Sequence, residues 1–212
     1  MAAEVAIIDT GVANIASMQA MLSCLGCTVA LTRAAIDVER AEHVVLPGVG
    51  AFEAGMDVLS STGLITPLTE RIDAGRSTLA VCLGMQMLCE ASEESPGVPG
   101  LGIIPGTVQR FPDAVQIPQL GWNRVTAETE VIPEPGDAYF ANSFRLLEVP
   151  GDGWNAAFTD YGGPFVSALR RRNVLTCQFH PELSGAWGRA LLRNWLDGAS
   201  FSASLDEEAA SC

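Results

Sequence analysis

Short apolar runs alternate with stretches of helical spacing through the first half of the chain, and this alternation limits the possible fold more than any other feature. The apolar runs predict buried strands at residues 5–9, 28–32, 43–46 and 79–82. Apolar residues recur at helical spacing in residues 15–25, 36–41, 51–61, 64–74 and from Met85 through Ala91. Strands and helices that alternate in this way predict a parallel, doubly wound α/β sheet.

The second half of the chain has a different pattern, because turns rich in Gly and Pro separate its apolar runs. These runs predict strands at residues 106–111, 120–126, 138–142, 156–160, 165–170 and 174–178. Hairpin-length turns join antiparallel strands, so we predict a largely antiparallel extension here. A last helix is predicted at residues 185–197. At the other end of the chain, Asn14 is predicted to cap the helix that starts at Ile15.

Length and composition suit one α/β domain of 212 residues. We expect a single domain at residues 1–197, followed at 198–212 by a disordered acidic tail. The net charge of −13 argues against nucleic acid and anionic membranes as partners. The apolar runs are also shorter than the ~18 residues of a membrane span. Six dispersed cysteines without a signal peptide favour the reducing cytoplasm.

The sequence offers little for a metal or cofactor. It has two histidines, His43 and His180, far apart in the chain. Cys24 and Cys27 have C-x-x-C spacing, but they lie between a predicted helix and a strand, which favours a structural role. The glycines after the first strand do not form G-x-G-x-x-G. We therefore expect no metal site and no cofactor.

Cys82 lies where the fourth predicted strand turns into a helix. Such a position directs a side chain out of the carboxyl edge of the sheet, where open α/β sheets build their sites. Backbone N–H groups at a helix start favour the thiolate over the thiol. The G-x-S-x-G elbow presents a serine nucleophile in the same way. From this stretch alone, Cys82 is either a nucleophile or an inert buried cysteine.

Two other stretches fit a site around Cys82. His180 follows the last predicted strand, and Glu182 lies where its carboxylate can orient the imidazole, as in a nucleophile–base–acid triad. The loop at residues 47–50 follows the third strand, and its glycines suit an oxyanion hole or an ordinary turn. His43 precedes that strand, and we expect it at the surface.

These stretches resemble the class I glutamine amidotransferases, and within them the glutaminase subunits of imidazole glycerol phosphate synthases. The class resemblance is carried by Val81-Cys82-Leu83-Gly84-Met85-Gln86, Pro47-Gly48-Val49-Gly50 and Gln178-Phe179-His180-Pro181-Glu182. The narrower one is carried by the stretch from Ile8 to Asn14, Gly121-Trp122-Asn123, Tyr139-Phe140-x-x-Ser143, Glu93-Glu94-Ser95 and Tyr161-Gly162-x-Pro164-Phe165. It implies a flavodoxin-like α/β fold with a mostly parallel central sheet, helices on both faces and an antiparallel β extension in the C-terminal half.

The resemblance also implies roles for individual residues. Cys82 would attack the side-chain amide of glutamine, with His180 moving the proton and Glu182 completing the triad. The oxyanion hole would be formed by Val49, Gly50 and Leu83. Glutamine would be held by Gly50, Gln86, Asn142, Ser143 and Phe144. Because Gly48 and Gly50 flank Val49, we further predict that the loop at residues 47–50 flips a peptide to form the hole, which would make the free subunit slow.

A partner follows from the same resemblance. Ammonia would pass to a separate cyclase subunit, a (β/α)₈ barrel, in a heterodimer that makes imidazole glycerol phosphate and AICAR in histidine biosynthesis. Such a barrel typically takes ~250 residues, so it must be another polypeptide. The complex would combine hydrolase and lyase activities.

The chain departs from the usual family pattern at five positions: Ala80, Gln119, Asn142, Phe144 and Leu183. In the family, the positions of Gln119, Asn142 and Leu183 lie near the partner interface, so two alternatives stay open. The first is that the chain is a glutaminase subunit of a different ammonia-using synthase. The second is that it is a catalytically silent regulatory partner. A cysteine hydrolase of the α/β-hydrolase type is disfavoured, since its acid would precede the histidine in the chain.

Overall fold

The first half of the chain forms the predicted alternation of strands and helices. The computed structural model describes residues 2–11, 15–127, 130–151 and 153–198; the predicted cap Asn14 and residues 199–212 of the predicted tail lie outside these ranges. The elements are β1 Glu4–Ile8, α1 Ile15–Cys24, β2 Thr28–Thr32, α2 Ala35–Arg40, β3 His43–Leu46, α3 Phe52–Ser61, α4 Ile65–Asp73, β4 Thr78–Val81 and α5 Leu83–Met87. Up to the start of α5, they agree with the predicted bounds to within one residue at each end.

The second half is mainly β structure. Its elements are β5 Cys89–Ser92, β6 Ile104–Arg110, β7 Gln119–Ala127, β8 Gly136–Asn142, β9 Phe144–Arg145, β10 Asn155–Asp160, β11 Pro164–Arg171, β12 Val174–Cys177, a 3₁₀ turn Pro181–Leu183 and α6 Gly185–Leu196. The strands β5 and β9 were not predicted. Both are short, and neither shows the alternation that marks a half-buried strand.

A nine-stranded sheet joins the two halves in the order β2-β1-β3-β4-β12-β11-β10-β7-β8. Five of these strands are parallel to one another: β2, β1, β3, β4 and β12. The pairs from β12 through β11, β10 and β7 to β8 are antiparallel. This arrangement confirms the predicted mostly parallel core with an antiparallel extension. Because β4 and β12 are parallel and Val81 lies opposite Cys177, the residues that follow both strands meet at one edge of the sheet.

Helices cover both faces of this sheet. On one face, α3 and α4 bury Phe52, Leu59 and Leu68 in a cluster with residues of β1, β3 and β4. On the other face, α1 and α6 contribute a cluster that includes Leu22 and Trp195. Burial of this apolar surface from both sides is the main stabilising contribution expected for the doubly wound part of the chain.

The helix after Cys82 is shorter than predicted, and this expectation was wrong. It ends at Met87, and Ala91 lies in β5, which pairs with β6 in a separate three-stranded sheet. The carbonyl groups of Met87 and Leu88 accept hydrogen bonds from residues 101, 103 and 104 instead of from the next helical turn. Tertiary pairing therefore overrides the helical spacing of the sequence.

His43 is buried, which corrects the expectation of a surface histidine. Its side chain lies beneath Trp195 of α6, with the ring centroids 5.3 Å apart, and its Nδ1 is 2.7 Å from Ser77 Oγ. Burial lowers the pKa of this imidazole. The predicted strand ends where expected, but the packing of α6 against it could not be read from the local sequence.

Cys27 of the C-x-x-C stretch is a free, partly buried thiol, so it forms no disulfide with Cys24.

Among the described residues, none of the helices has both the length and the apolar character needed to cross a membrane.

Gly84 allows α5 to approach β3 closely. A Cβ atom at this position would collide with the carbonyl oxygen of Leu46. We expect Gly84→Ala to lower the free energy of unfolding by about 1–3 kcal/mol, since the backbone must shift to make room. Thermal unfolding should show a fall in Tm of several degrees. Gly151→Ala is the matched control, because a Cβ there has no atom within 4 Å; an equal loss in both variants would contradict the argument.

Candidate active site

Cys82 occupies a strained turn between β4 and α5. Its backbone has φ 53° and ψ −109°, which is unusual for a residue with a side chain. The turn is held by two backbone hydrogen bonds, from Cys82 N–H to Cys177 O at 2.7 Å and from Gln86 N–H to Cys82 O at 3.2 Å. The side chain is 6% exposed. The structure therefore has a sharp elbow at the position where the sequence predicted one.

His180 and Glu182 reach the same edge of the sheet from β12. The backbone N–H of His180 donates to Tyr139 O at 2.9 Å, and Ser184 Oγ donates to His180 O at 2.6 Å. The His180 Nδ1 atom lies 2.9 Å from Glu182 Oε1, and both side chains are buried. Cys82 lies close enough to the imidazole to contribute to the raised pKa of His180. The three residues proposed from sequence as a triad therefore lie together at this edge of the sheet.

The surroundings of His180 favour the protonated form of its imidazole. Burial disfavours the charged ring, but the hydrogen bonds and negative charges of Cys82 and Glu182 outweigh it and raise the pKa of His180 to about 10. A cysteine sulfur beside a protonated imidazole can supply a nucleophile and a proton donor together.

A cleft of about 130 Å³ opens beside the Cys82 sulfur. One wall is formed by the loop at residues 47–50 and by α5, and the other by the end of β8 and the residues that follow it. All seven residues expected from sequence in the oxyanion hole or around the substrate line it: Val49, Gly50, Leu83, Gln86, Asn142, Ser143 and Phe144.

Glu94 also lines the cleft, and sequence reasoning assigned it no role. Its Oε2 accepts a hydrogen bond from the Phe52 N–H at 2.8 Å, at the start of α3. The contact joins residues 42 positions apart. The available signal was the Glu93-Glu94-Ser95 stretch, which gave no indication of the direction of either carboxylate.

Gln178 is the second residue that sequence reasoning left without a role. It is buried, and its Nε2 donates to Cys82 Sγ at 3.6 Å. Its Oε1 accepts a hydrogen bond from Gln86 Nε2 at 3.0 Å. Gln86 Nε2 also lies 3.4 Å from the carbonyl oxygen of Phe144. A series of amide groups therefore connects the cleft wall to the sulfur.

The loop at residues 47–50 lies against the start of α5. The Leu83 N–H, an expected oxyanion donor, is hydrogen-bonded to Gly48 O at 3.3 Å. Gly50 has φ +104°, and a Cβ on Gly48 would lie 2.7 Å from that of Leu83. The loop is thus a glycine-dependent segment whose own carbonyl group occupies a donor that an oxyanion would need.

Within the described ranges, the His, Cys, Asp and Glu side chains form no group of three or more that could hold a metal ion.

The sequence matches known proteins along almost its whole length. The family model described as "Glutamine amidotransferase class-I" matches residues 6–199. A relative from Deinococcus radiodurans, "Imidazole glycerol phosphate synthase subunit HisH", is 42% identical over 202 residues, which cover 92% of this chain and 93% of the relative. The HisH subunit of Symbiobacterium thermophilum is 38% identical over 198 residues, covering 91% and 93%.

One relative is a much longer protein. "Imidazole glycerol phosphate synthase hisHF, chloroplastic" from Arabidopsis thaliana is 38% identical over 201 residues, which cover 91% of this chain but 34% of that protein. In the plant relative, the matched region is therefore one part of a longer polypeptide.

Solved structures with the same fold are more distant in sequence. One described as "Crystal structure of glutamine amidotransferase" has a TM-score of 0.74 at 19% identity, with 92% of this chain and 97% of that chain covered. PurLQS from Thermotoga maritima has a TM-score of 0.72 at 16% identity, with 93% and 99% covered. At these identities the likeness supports the fold.

Proposed function

This chain belongs to the class I glutamine amidotransferases, and we propose that it hydrolyses glutamine to glutamate and ammonia through Cys82, His180 and Glu182. Its HisH relatives make it a glutaminase subunit that acts in histidine biosynthesis. The observation that carries the proposed chemistry is that β4 and β12 bring Cys82, His180 and Glu182 to one edge of the sheet beside the cleft, with His180 Nδ1 2.9 Å from Glu182 Oε1.

The proposed reaction has two stages. The Cys82 thiolate attacks the carboxamide carbon of glutamine, and the carbonyl oxygen becomes an oxyanion. The imidazolium of His180 gives its proton to the departing nitrogen, so the C–N bond breaks, ammonia leaves and a glutamyl thioester remains. The neutral imidazole then takes a proton from water, the hydroxide attacks the thioester, and the sulfur leaves as the thiolate with glutamate released.

Glu182 has a supporting role in this scheme. Its Oε1 accepts the Nδ1 proton of His180, which leaves Nε2 as the nitrogen that gives and takes the reacting proton. The carboxylate also stabilises the charged ring.

The cleft suits the substrate. We propose that Gly50, Gln86, Asn142, Ser143 and Phe144 hold glutamine with its amide towards Cys82. Glu94, whose Oε2 is already bonded to the Phe52 N–H, can offer its other oxygen to the ammonium group of the substrate.

The oxyanion hole requires a rearrangement in this proposal. With the Gly48 carbonyl on the Leu83 N–H, that donor cannot reach a substrate oxygen. Rotation of the peptide between Gly48 and Val49 would withdraw this carbonyl, free the Leu83 N–H and turn the Val49 N–H towards the cleft. The glycines on both sides of Val49 make such a rotation possible.

We expect the isolated chain to release ammonia from glutamine slowly, and a cyclase subunit to raise the rate at least ~10²-fold. The loss of one oxyanion donor typically costs this much in rate. Initial rates of ammonia release, measured for the chain alone and with the cyclase in excess, test this. If the isolated chain were as fast as the complex, the rearrangement would be unnecessary.

Two large apolar side chains on β7 offer a docking surface for that cyclase. Leu120 is 66% exposed and Trp122 is 57% exposed; we call these two side chains the β7 patch. Leu120 lies opposite Ala141, which lines the cleft, and Trp122 packs on Tyr139, which bridges to His180. A partner bound to the β7 patch would therefore lie beside the site that releases ammonia.

We propose that this partner is a (β/α)₈-barrel cyclase and that the ammonia passes to it to form imidazole glycerol phosphate and AICAR. The hisHF relative supports this, since one polypeptide there carries the matched region and a longer remainder under a synthase name. A cyclase assay with glutamine as the sole nitrogen source, read as formation of imidazole glycerol phosphate and AICAR, separates this synthase from a different one.

We expect Leu120→Ala and Trp122→Ala each to raise the dissociation constant for the cyclase roughly 10- to 100-fold. Exposed aromatic and large apolar side chains that become buried at an interface give losses of this size. Leu31→Ala is the matched control, since Leu31 is exposed on β2 at the far edge of the sheet. Calorimetric titration measures all three; equal affinities would place the docking surface elsewhere.

A further inference from the structure

We propose that Gln178 is a further catalytic residue, because its side-chain amide donates a hydrogen bond to the Cys82 thiolate and is held in that orientation by Gln86. The inference rests on the proposed function, since it concerns the same sulfur. It assigns Gln86 a second task in addition to substrate binding.

Hydrogen bonds connect the side-chain amides of Gln86 and Gln178 to the Cys82 sulfur, and we call this series the amide pathway. Gln178 Nε2 lies 3.6 Å from Cys82 Sγ, a distance suited to the large sulfur atom. Gln178 Oε1 accepts from Gln86 Nε2 at 3.0 Å, and both bonds are buried. Its backbone N–H donates to Ser167 O at 2.8 Å, which anchors the residue in the sheet region. The side chain is thus held from the backbone and from its amide oxygen.

The carbonyl group of Phe144 sets the direction of every amide in this pathway. A carbonyl oxygen can only accept, so Gln86 must present its NH₂ group to Phe144. The same NH₂ group also faces Gln178, which must therefore accept the hydrogen bond through its oxygen. The NH₂ group of Gln178 is consequently left for the sulfur. Asn142 Nδ2 also donates to the Phe144 oxygen, at 3.0 Å, and holds that oxygen in place.

An N–H donor stabilises a thiolate more than a thiol, because the charged acceptor makes the stronger bond. Gln178 would therefore favour the reactive form of Cys82 before attack. It would favour the sulfur again as the leaving group when water cleaves the thioester. His180 contributes the charge at this sulfur, and Gln178 contributes a neutral donor that keeps its proton throughout the cycle.

The same arrangement restricts how Gln86 can bind glutamine. Both N–H bonds of its amide are directed at protein oxygens, those of Phe144 and Gln178. Only its Oε1 remains for the cleft, so Gln86 accepts a hydrogen bond from an N–H group of the substrate. A ligand that offers only acceptors at that position should gain nothing from Gln86.

The test measures Cys82 alkylation by iodoacetamide against pH, in the full chain without glutamine, with modification read from the Cys82 peptide. We expect Gln178→Met to move the midpoint of the rate profile upward by about one pH unit, since one charge-assisted hydrogen bond is lost. Gln86→Met should move it upward by less, because this residue acts on the sulfur through Gln178. In the double variant the shift should not exceed that of Gln178→Met alone, as expected for two residues in one pathway.

Controls separate this effect from general disruption. Gln119→Met replaces another fully buried glutamine, and its alkylation midpoint should equal that of the wild type. Cys27 serves as an internal reference, and its profile should be the same in all variants. Thermal unfolding of each variant verifies that it is folded.

An unchanged midpoint in folded Gln178→Met would overturn the proposal, as would additive shifts in the double variant. The outcome is independent of turnover. If the wild type released no ammonia from glutamine but the midpoints shifted as expected, the proposed function would fail and the thiolate contact would stand.

Discussion

Replacement of Cys82 with alanine should lower the rate of ammonia release from glutamine, in the presence of the cyclase, by roughly 10⁴- to 10⁶-fold. The variant keeps the cleft and His180 but has no atom that can form the thioester. The small residual rate would come from binding and from backbone donors at the oxyanion position. The rate of glutamate formation, from a coupled assay, and the rate of ammonia release, measured directly, should fall by the same factor.

The other thiols make the comparison specific. Cys89 and Cys177 lie in the core, where burial raises the pKa of both, that of Cys89 to about 12. Cys27 is a partly buried free thiol on the connection between α1 and β2, so Cys27→Ala is the matched control. It should keep the wild-type rate. Substantial turnover by Cys82→Ala would mean that another group attacks glutamine.

Replacement of Glu182 with glutamine is expected to lower the rate by about 10²- to 10⁴-fold. A comparable change in the serine protease triad costs about 10⁴, because the amide favours the wrong tautomer of the histidine. Here the amide would also leave a buried imidazolium without its partner at 2.9 Å.

The pH dependence gives this variant a second signature. The pKa of His180 is raised to about 10, so the ring keeps the proton needed by the leaving nitrogen up to that pH. The alkaline limb of kcat, measured at saturating glutamine, should therefore lie well above the ordinary pKa of histidine. Glu182 is one of the groups that raise this pKa, so Glu182→Gln should move the limb to lower pH. Titration of the imidazole by NMR should show the same shift.

Glu42→Gln is the control for this experiment. Glu42 Oε1 lies 3.7 Å from the other histidine, His43, and its side chain is 65% exposed. The variant should keep both the rate and the alkaline limb of the wild type. Identical pH profiles for Glu182→Gln and the wild type would remove Glu182 from the proton-transfer scheme.

The doubly wound part of the fold was predictable because each element carries its own signal. Apolar strands at residues 5–9 and 43–46 are short and bounded by turns, and Gly26 ends α1 with φ +86°. The elbow at Cys82 was predictable for the same reason, since the apolar run of a strand changes to helical spacing at this residue. Chain order then placed His180 after a late strand, but the parallel pairing of β12 with β4 is what joins the two.

The remaining features depend on contacts between distant residues. The stretch after Met87 has helical spacing but pairs with residues 100–104, so the local pattern predicted the wrong structure. Glu94 meets α3 across 42 positions, and Gln178 meets Cys82 across 96. His43 is buried because α6 packs over it. Local spacing carries no information on such contacts, and motif resemblance names residues without giving their partners.

The most direct test of the central claim is to trap the acyl-enzyme. The chain, with its cyclase, is mixed with isotopically labelled glutamine, quenched in acid within a turnover and digested for peptide mass spectrometry. We expect a glutamyl adduct on the peptide that contains Cys82, with none in the Cys82→Ala variant. Label on a Cys27, Cys89 or Cys177 peptide, or turnover without any adduct at Cys82, would contradict it.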